Sequence, residues 1–408
     1  MTPLRTAVLT TVTVLTTAVV GLTAPGEPAT AAAPAAPAAA TTDTDGDGLL
    51  DDWETDGYDA DGDGVIDVDL PALGADPRHK DLFVELDWMP GLRPSVTVLD
   101  RVVQVFAAAP VDNPDGTAGI RIHLDGGAYP GRTTYDLGGA GQVPLDTNLS
   151  PYATEIRALR TAHFAPARAE IFRYMVWADR YNSGCSSGVA LGIPSDTFVV
   201  TLGDTCGWAR TDDQMVGTFV HELGHTLGLR HGGVDDTHYK PNYLSVMNYS
   251  FQLVGVPRTS GSSYFGYSDD AHPVLDERSL VESRGLGLGA VGWRTIWYCP
   301  GSGAARTSGD AAGGIDWSCN GTISTGGVRA DINKNGRTGT LTAQDNWANL
   351  RFKGGTVGYG VAPANQAPPR RVEISPDVFR LVPPAALDEL TKREADLLRR
   401  GQRPRTTP

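Results

Sequence analysis

Eleven consecutive residues, HELGHTLGLRH at 221–231, carry three histidines and a glutamate at a spacing that suits a protein metal site. His221 and His225 stand four apart, about one helical turn, so both imidazoles leave the same face and can grip one Zn²⁺. Glu222 falls beside the metal and does not complete the ligand set. From there its carboxylate can take a proton from a water that the metal polarises, and pass it on. Gly228 ends the helix, because a residue free to adopt positive φ lets the chain turn sharply and return His231 as third ligand. Three ligands leave the fourth tetrahedral position open, which separates a catalytic zinc from a closed structural one.

A short loop later the chain reads SVMNY, ending at Tyr249. The pattern HExxHxxGxxH followed by a methionine turn resembles the metzincin clan of zinc endopeptidases. The resemblance implies that Met247 forms an apolar floor beneath the zinc ligands. It also implies that Tyr249 is a displaceable extra ligand, able to swing off the metal and hydrogen-bond the tetrahedral intermediate. Function then follows as hydrolysis of peptide bonds by metal-activated water. A calcium-dependent extracellular binding or matrix protein built on the same scaffold is the alternative.

The elements that must hold this site are legible upstream. DLFVELDWM from Asp81 has the apolar density of a buried strand, and Pro94 with Ser95 starts a helix whose apolar positions are Val98, Leu99, Val102, Val103 and Phe106. GIRIHLD from Gly119, EIFRYMVWAD from Glu170 and DTFVVTLG from Asp196 read as further strands. The expected class is α+β: a twisted, mostly parallel sheet with backing helices and the active-site helix, followed by an irregular, disulfide-stapled C-terminal part. In the metzincin family an edge strand borders the cleft and binds extended substrate; residues 196–203 are the candidate, with an interior position as the alternative. FQLVGV from Phe251 is placed to wall the pocket for the residue after the scissile bond, or to pack as ordinary core. ALDELTKREADLLRR reads as a short amphipathic packing helix. None of the remaining histidines has ligand spacing, although His238 follows two aspartates near the site and either touches substrate or lies in a solvated loop.

Acid is concentrated in residues 43–69. DTDGDGLLDDWE fits a calcium-loop template, with Asp43, Asp45 and Asp47 as oxygen ligands, the Leu49 carbonyl, Asp51 through water, and Glu54 closing the cage with both oxygens. DADGDGVIDVDL repeats it with Asp59, Asp61, Asp63, the Val65 carbonyl and Asp67. Leu70 stands where the closing glutamate belongs, so the last ligand must come from Asp69 or the first repeat. The close tandem spacing resembles thrombospondin type 3 or dockerin-like calcium repeats. A weaker candidate is DINKNGRTGTLT, with Asp331, Asn333 and Asn335, for which an Asn/Gly-rich turn is an equal alternative. The expected cofactors are thus Zn²⁺ and Ca²⁺.

The first residues, with Arg5 ahead of a threonine-rich apolar run, read as a secretory leader over 1–31, followed by an Ala/Pro spacer over 32–42. Calcium repeats over 43–76, a catalytic part over 77–249, an irregular part over 250–365 and a helix with basic tail over 366–408 complete the expected organisation. Cys185, Cys206, Cys299 and Cys319 form two sequence-local pairs, which suits an oxidising extracellular compartment and the pairing Cys185–Cys206 and Cys299–Cys319. The net charge of −14 comes without a basic patch interleaved with aromatics, which argues against nucleic acid. The expected state is a secreted monomer acting on protein or peptide substrate, with no stable membrane association once the leader is cut. No cysteine precedes Cys185 to cap the zinc, so latency is either absent, supplied by another protein, or provided by an acidic side chain upstream.

Overall fold

The chain from Asp81 to Trp88 (β1) is buried along nearly its whole length between parallel neighbours: Leu82, Val84 and Leu86 fill one face, and Phe83 shares the other with the carboxylates of Asp81, Glu85 and Asp87. A computed structural model describes residues 42–353, 370–375, 378–382 and 389–402; the expected leader and nearly all of the spacer lie outside them. Ahead of β1, two short helices, Asp51–Asp56 (α1) and Leu70–Leu73 (α2), order the acidic segment. The helix expected after Pro94 runs Val96–Ala107 (α3), capped by the Ser95 hydroxyl, which accepts from the Val98 amide at 3.3 Å. Arg121–Asp125 (β2), the helix Tyr152–His163 (α4), Phe172–Ala178 (β3), Gly188–Ala190 (β4) and Thr197–Thr201 (β5) follow.

The five strands form one sheet in the order β2-β1-β3-β5-β4. All neighbours are parallel except β4 and β5, which are antiparallel with Gly188 opposite Val200. The protein is therefore mixed α/β with a mostly parallel sheet. One expectation needs correction: residues 196–203 contain β5, which is interior, and the edge belongs to β4. Its three residues GVA are too few to show any periodicity, and their glycine argues against a strand.

The metal-motif helix runs Asp212–Thr226 (α5). Thr211 and Gln214 form a reciprocal capping box at its start, and Asp212 and Asp213 complement the positive end of its dipole. From Gln214 onward every residue is buried. Phe219 anchors the helix on the sheet, stacked 6.1 Å from Trp177 of β3 and edge-on to Phe198 of β5 at 5.4 Å. Its remaining faces are covered by α3, by the turn at Val246 and Met247, and by the segment after Tyr249, which is largely loop with two- and three-residue strand pairs. Cys185–Cys206 and Cys299–Cys319 are disulfide-bonded, each closing a loop of about twenty residues. A last helix, Lys392–Gln402 (α6), follows from Thr391.

Candidate metal centre

Helical spacing brings His221 and His225 to one face of α5, and Leu227 then closes the helix. Gly228 takes φ +88° and the Leu229 amide returns to the Gly224 carbonyl at 2.9 Å, which turns the chain and delivers His231. The three Nε2 atoms converge: His225 lies 3.2 Å from His221 and 3.0 Å from His231, and all three rings are buried. His221 Nδ1 faces the Val246 carbonyl and His225 Nδ1 the Leu229 carbonyl, both at 2.8 Å. A carbonyl can only accept, so both Nδ1 atoms carry the hydrogen and, in the neutral rings, both Nε2 atoms present lone pairs. Burial favours that neutral form, holding His225 well below the ordinary histidine range and His221 below it too.

Two lone pairs 3.2 Å apart in a dry interior repel each other unless a cation lies between them. Three nitrogens at tetrahedral positions about 2.0–2.1 Å from a zinc ion would be spaced by about 3.3–3.4 Å, close to the spacing found. The backbone carbonyls behind the rings are the outer contacts that orient metal-binding histidines. The residues present therefore fit a metal ion.

Around this cluster stand Met247, Tyr249, His238 and Glu222. Met247 is fully buried below α5, so close that a Cβ on Gly224 would lie 2.5 Å from its sulfur. The Tyr249 hydroxyl is 3.2 Å from His231 Nε2. Burial, then the nearby carboxylates Glu389 and Glu222, pushes its phenol well above the ordinary range, so it remains a proton donor. His238 lies half-buried in a loop, where it stacks on Tyr249 with ring centroids 4.5 Å apart. Glu222 is fully buried beside the edge strand, and neither of its carboxylate oxygens has a hydrogen-bond partner among the described residues. Gly188 leaves the space it needs, since a Cβ there would lie 2.6 Å from Glu222 Oε1 and from the Val199 carbonyl. Burial first, and Glu389 second, pushes the Glu222 carboxyl well above its ordinary range.

Glu389 is the residue that spacing could not announce. Its carboxylate lies 3.5 Å from His221 Nε2, 3.6 Å from His225 Nε2 and 3.5 Å from His231 Nε2, fully buried, with the Tyr249 hydroxyl 3.4 Å away. The fourth side of the cluster, expected open, is thus faced by the carboxylate of Glu389.

The first acidic loop brings two groups together: Asp43, Asp45 and Asp47, then Asp47, Glu54 and Asp81. Asp81, the first residue of β1, is a partner the loop template omits; its amide donates to Asp47 Oδ2 at 2.6 Å. Both Glu54 oxygens and Asp45 Oδ2 are buried without a hydrogen-bond partner. Unpaired buried carboxylates facing one another suit a hard cation. Asp51 is turned away, accepting from Thr44 through both oxygens, and the Leu49 amide is held by Asp47. In the second loop Asp59, Asp61 and Asp67 gather, whereas Asp63 is held by the amide of Val65, and Asp69 caps α2 instead of supplying the last ligand. In the third, Asp331 accepts from the amides of Asn335 and Gly336, and Asn335 from that of Arg337, the contacts of an Asx-type turn. Asn333 is buried there, and Glu277 clamps the loop by accepting from Ile332 and Gly339.

No family model and no curated protein matches this chain.

Proposed function

We propose that the chain is a secreted, zinc-dependent endopeptidase of the metzincin type. The observation that carries this reading is the convergence of three Nε2 atoms, two of them with lone pairs turned inward by backbone carbonyls, beside a buried glutamate and a tyrosine hydroxyl. His221, His225 and His231 would hold the ion. Zinc bound there supplies Lewis acidity, lowering the pKa of water toward about 7 and polarising a scissile carbonyl. Glu222, made a carboxylate by the added positive charge, takes the proton of the attacking water and hands it to the leaving amine nitrogen. Tyr249 donates its hydroxyl hydrogen to the carbonyl oxygen as that oxygen gains negative charge. β4, the antiparallel edge next to Glu222, is where an extended peptide would add to the sheet. The disulfides suit an extracellular site of action. The first acidic loop, and less completely the second, would hold Ca²⁺.

A second reading, an extracellular binding protein on the same scaffold, is favoured by Glu389, which completes a closed four-group site. Mass spectrometry of peptides released from a mixed protein substrate separates the two. Peptide release that stops on chelation and returns with one equivalent of zinc is the expected result. Absence of release from zinc-loaded protein, with the strap variant described below also silent, would favour the binding protein.

Replacing Tyr249 by Phe is expected to lower kcat by about 10- to 1000-fold with bound zinc unchanged, as loss of one oxyanion donor usually does. An unaltered kcat would make Tyr249 a packing residue.

A further inference from the structure

We propose that residues 389–402 form a strap lying in the substrate cleft, with Glu389 as the fourth ligand of the metal centre, so that the chain is latent while the strap is seated. This rests on the peptidase reading and adds the regulation of its site. Three observations converge on it. The strap pairs antiparallel with the chain leading into β4: the Ser187 amide donates to the Leu390 carbonyl at 3.0 Å, the Lys392 amide donates to the Cys185 carbonyl at 2.7 Å, and Thr391 bridges Ser186. Those are main-chain bonds of the kind an extended peptide makes with a sheet edge. Leu390, Ala395 and Leu398 are then buried beside Tyr249, Leu253 and Val254, the wall expected to receive a substrate side chain. Immediately before these anchors in the chain, the carboxylate of Glu389 meets all three histidine nitrogens.

The placement has a physical requirement. Among the described residues the only ion-pair partners recorded for the buried Glu389 are the three imidazoles, two of which are oriented with lone pairs inward. A carboxylate and inward lone pairs cannot share a dry pocket without a cation, so strap and metal stabilise each other. Thr391 and Glu394 add a local capping box, the Thr391 amide donating to Glu394 at 2.9 Å, which starts α6 directly after the metal-facing residue. Strap and substrate are thus alternative occupants of one groove.

The test titrates acetohydroxamate, a small bidentate metal ligand, into the zinc-loaded full chain by calorimetry. Glu222→Gln is the background, since it cannot digest itself. Adding Glu389→Gln, which keeps the side chain's shape, should tighten binding at least tenfold; Glu389→Ala should do the same. Equal affinity in all three would overturn the strap. With Glu222 restored, Glu389→Gln should hydrolyse denatured protein at least tenfold faster than the native chain. Tighter probe binding without hydrolysis would uphold the strap and sink the peptidase reading. Equal hydrolysis together with equal probe affinity would do the reverse.

Discussion

Glu222→Gln is expected to bind zinc in the same stoichiometry as the native chain and to lose hydrolysis by about 10²- to 10⁴-fold, the usual worth of a positioned general base. The amide has the shape of the carboxylate and fills the same buried space beside Gly188, so packing is kept while the base is removed. Because the glutamate adjoins the ligand histidines without closing the cluster they form with Glu389, the metal ligands are untouched. The comparison is made in the native chain and again with Glu389→Gln, so that masking of the cleft cannot be mistaken for loss of chemistry. Zinc analysis and turnover of a denatured protein are the two readouts. Undiminished turnover in the Glu389→Gln background would remove Glu222 from the mechanism altogether.

The second large effect is on stability. Without a cation, burial and then Asp47 push the Glu54 carboxyl up to about 10, while burial, ahead of the charge of Asp43, pushes Asp45 up to about 6. Both folded values lie above the ordinary carboxylate ones. Their stabilising contribution is therefore complete below about pH 4 and is lost as pH rises, through about 6 for Asp45 and about 10 for Glu54. Calcium-free protein is accordingly expected to melt at progressively lower temperature between pH 5 and pH 9. Millimolar calcium should flatten that slope, since the ion replaces the protons and binds only the folded loop. Asp45→Ala with Asp47→Ala should make the melting temperature indifferent to calcium at that site. Scanning calorimetry with and without calcium decides it: identical slopes would mean that no cation binds there. Zinc content should be the same throughout, because imidazoles and carboxylates prefer different metals.

How much of this was legible in the sequence depends on how far apart the cooperating residues stand. His221, Glu222 and His225 are ordered by one helix and His231 by the turn at Gly228, so local spacing encodes their geometry almost completely. β1 and β3 were readable because burial on both faces leaves them dense in apolar residues, Leu82, Val84 and Leu86 in one and Met175, Val176 and Trp177 in the other. The disulfide partners were readable because each pair closes a short loop. Glu389 and Asp81 had no such signal. Each reaches its cluster from a distant part of the chain, and no periodicity links them to the motif they complete. Glu389 was further hidden inside an apparent amphipathic helix, whose first ordered turn in fact begins only after Thr391. β4 was missed for shortness, and with it the true edge of the sheet.

Glu389 is 140 residues beyond Tyr249, and this ordering gives the molecule a calendar as well as a shape. Chains emerge from the ribosome beginning at the N-terminus, and their domains tend to fold in that order. The histidines, the glutamate base and the tyrosine are all synthesised before the carboxylate that covers them. A guard placed ahead of the catalytic residues would be waiting when they fold; this one arrives afterwards. During that interval the newly made histidine cluster lacks the carboxylate that faces it in the folded chain.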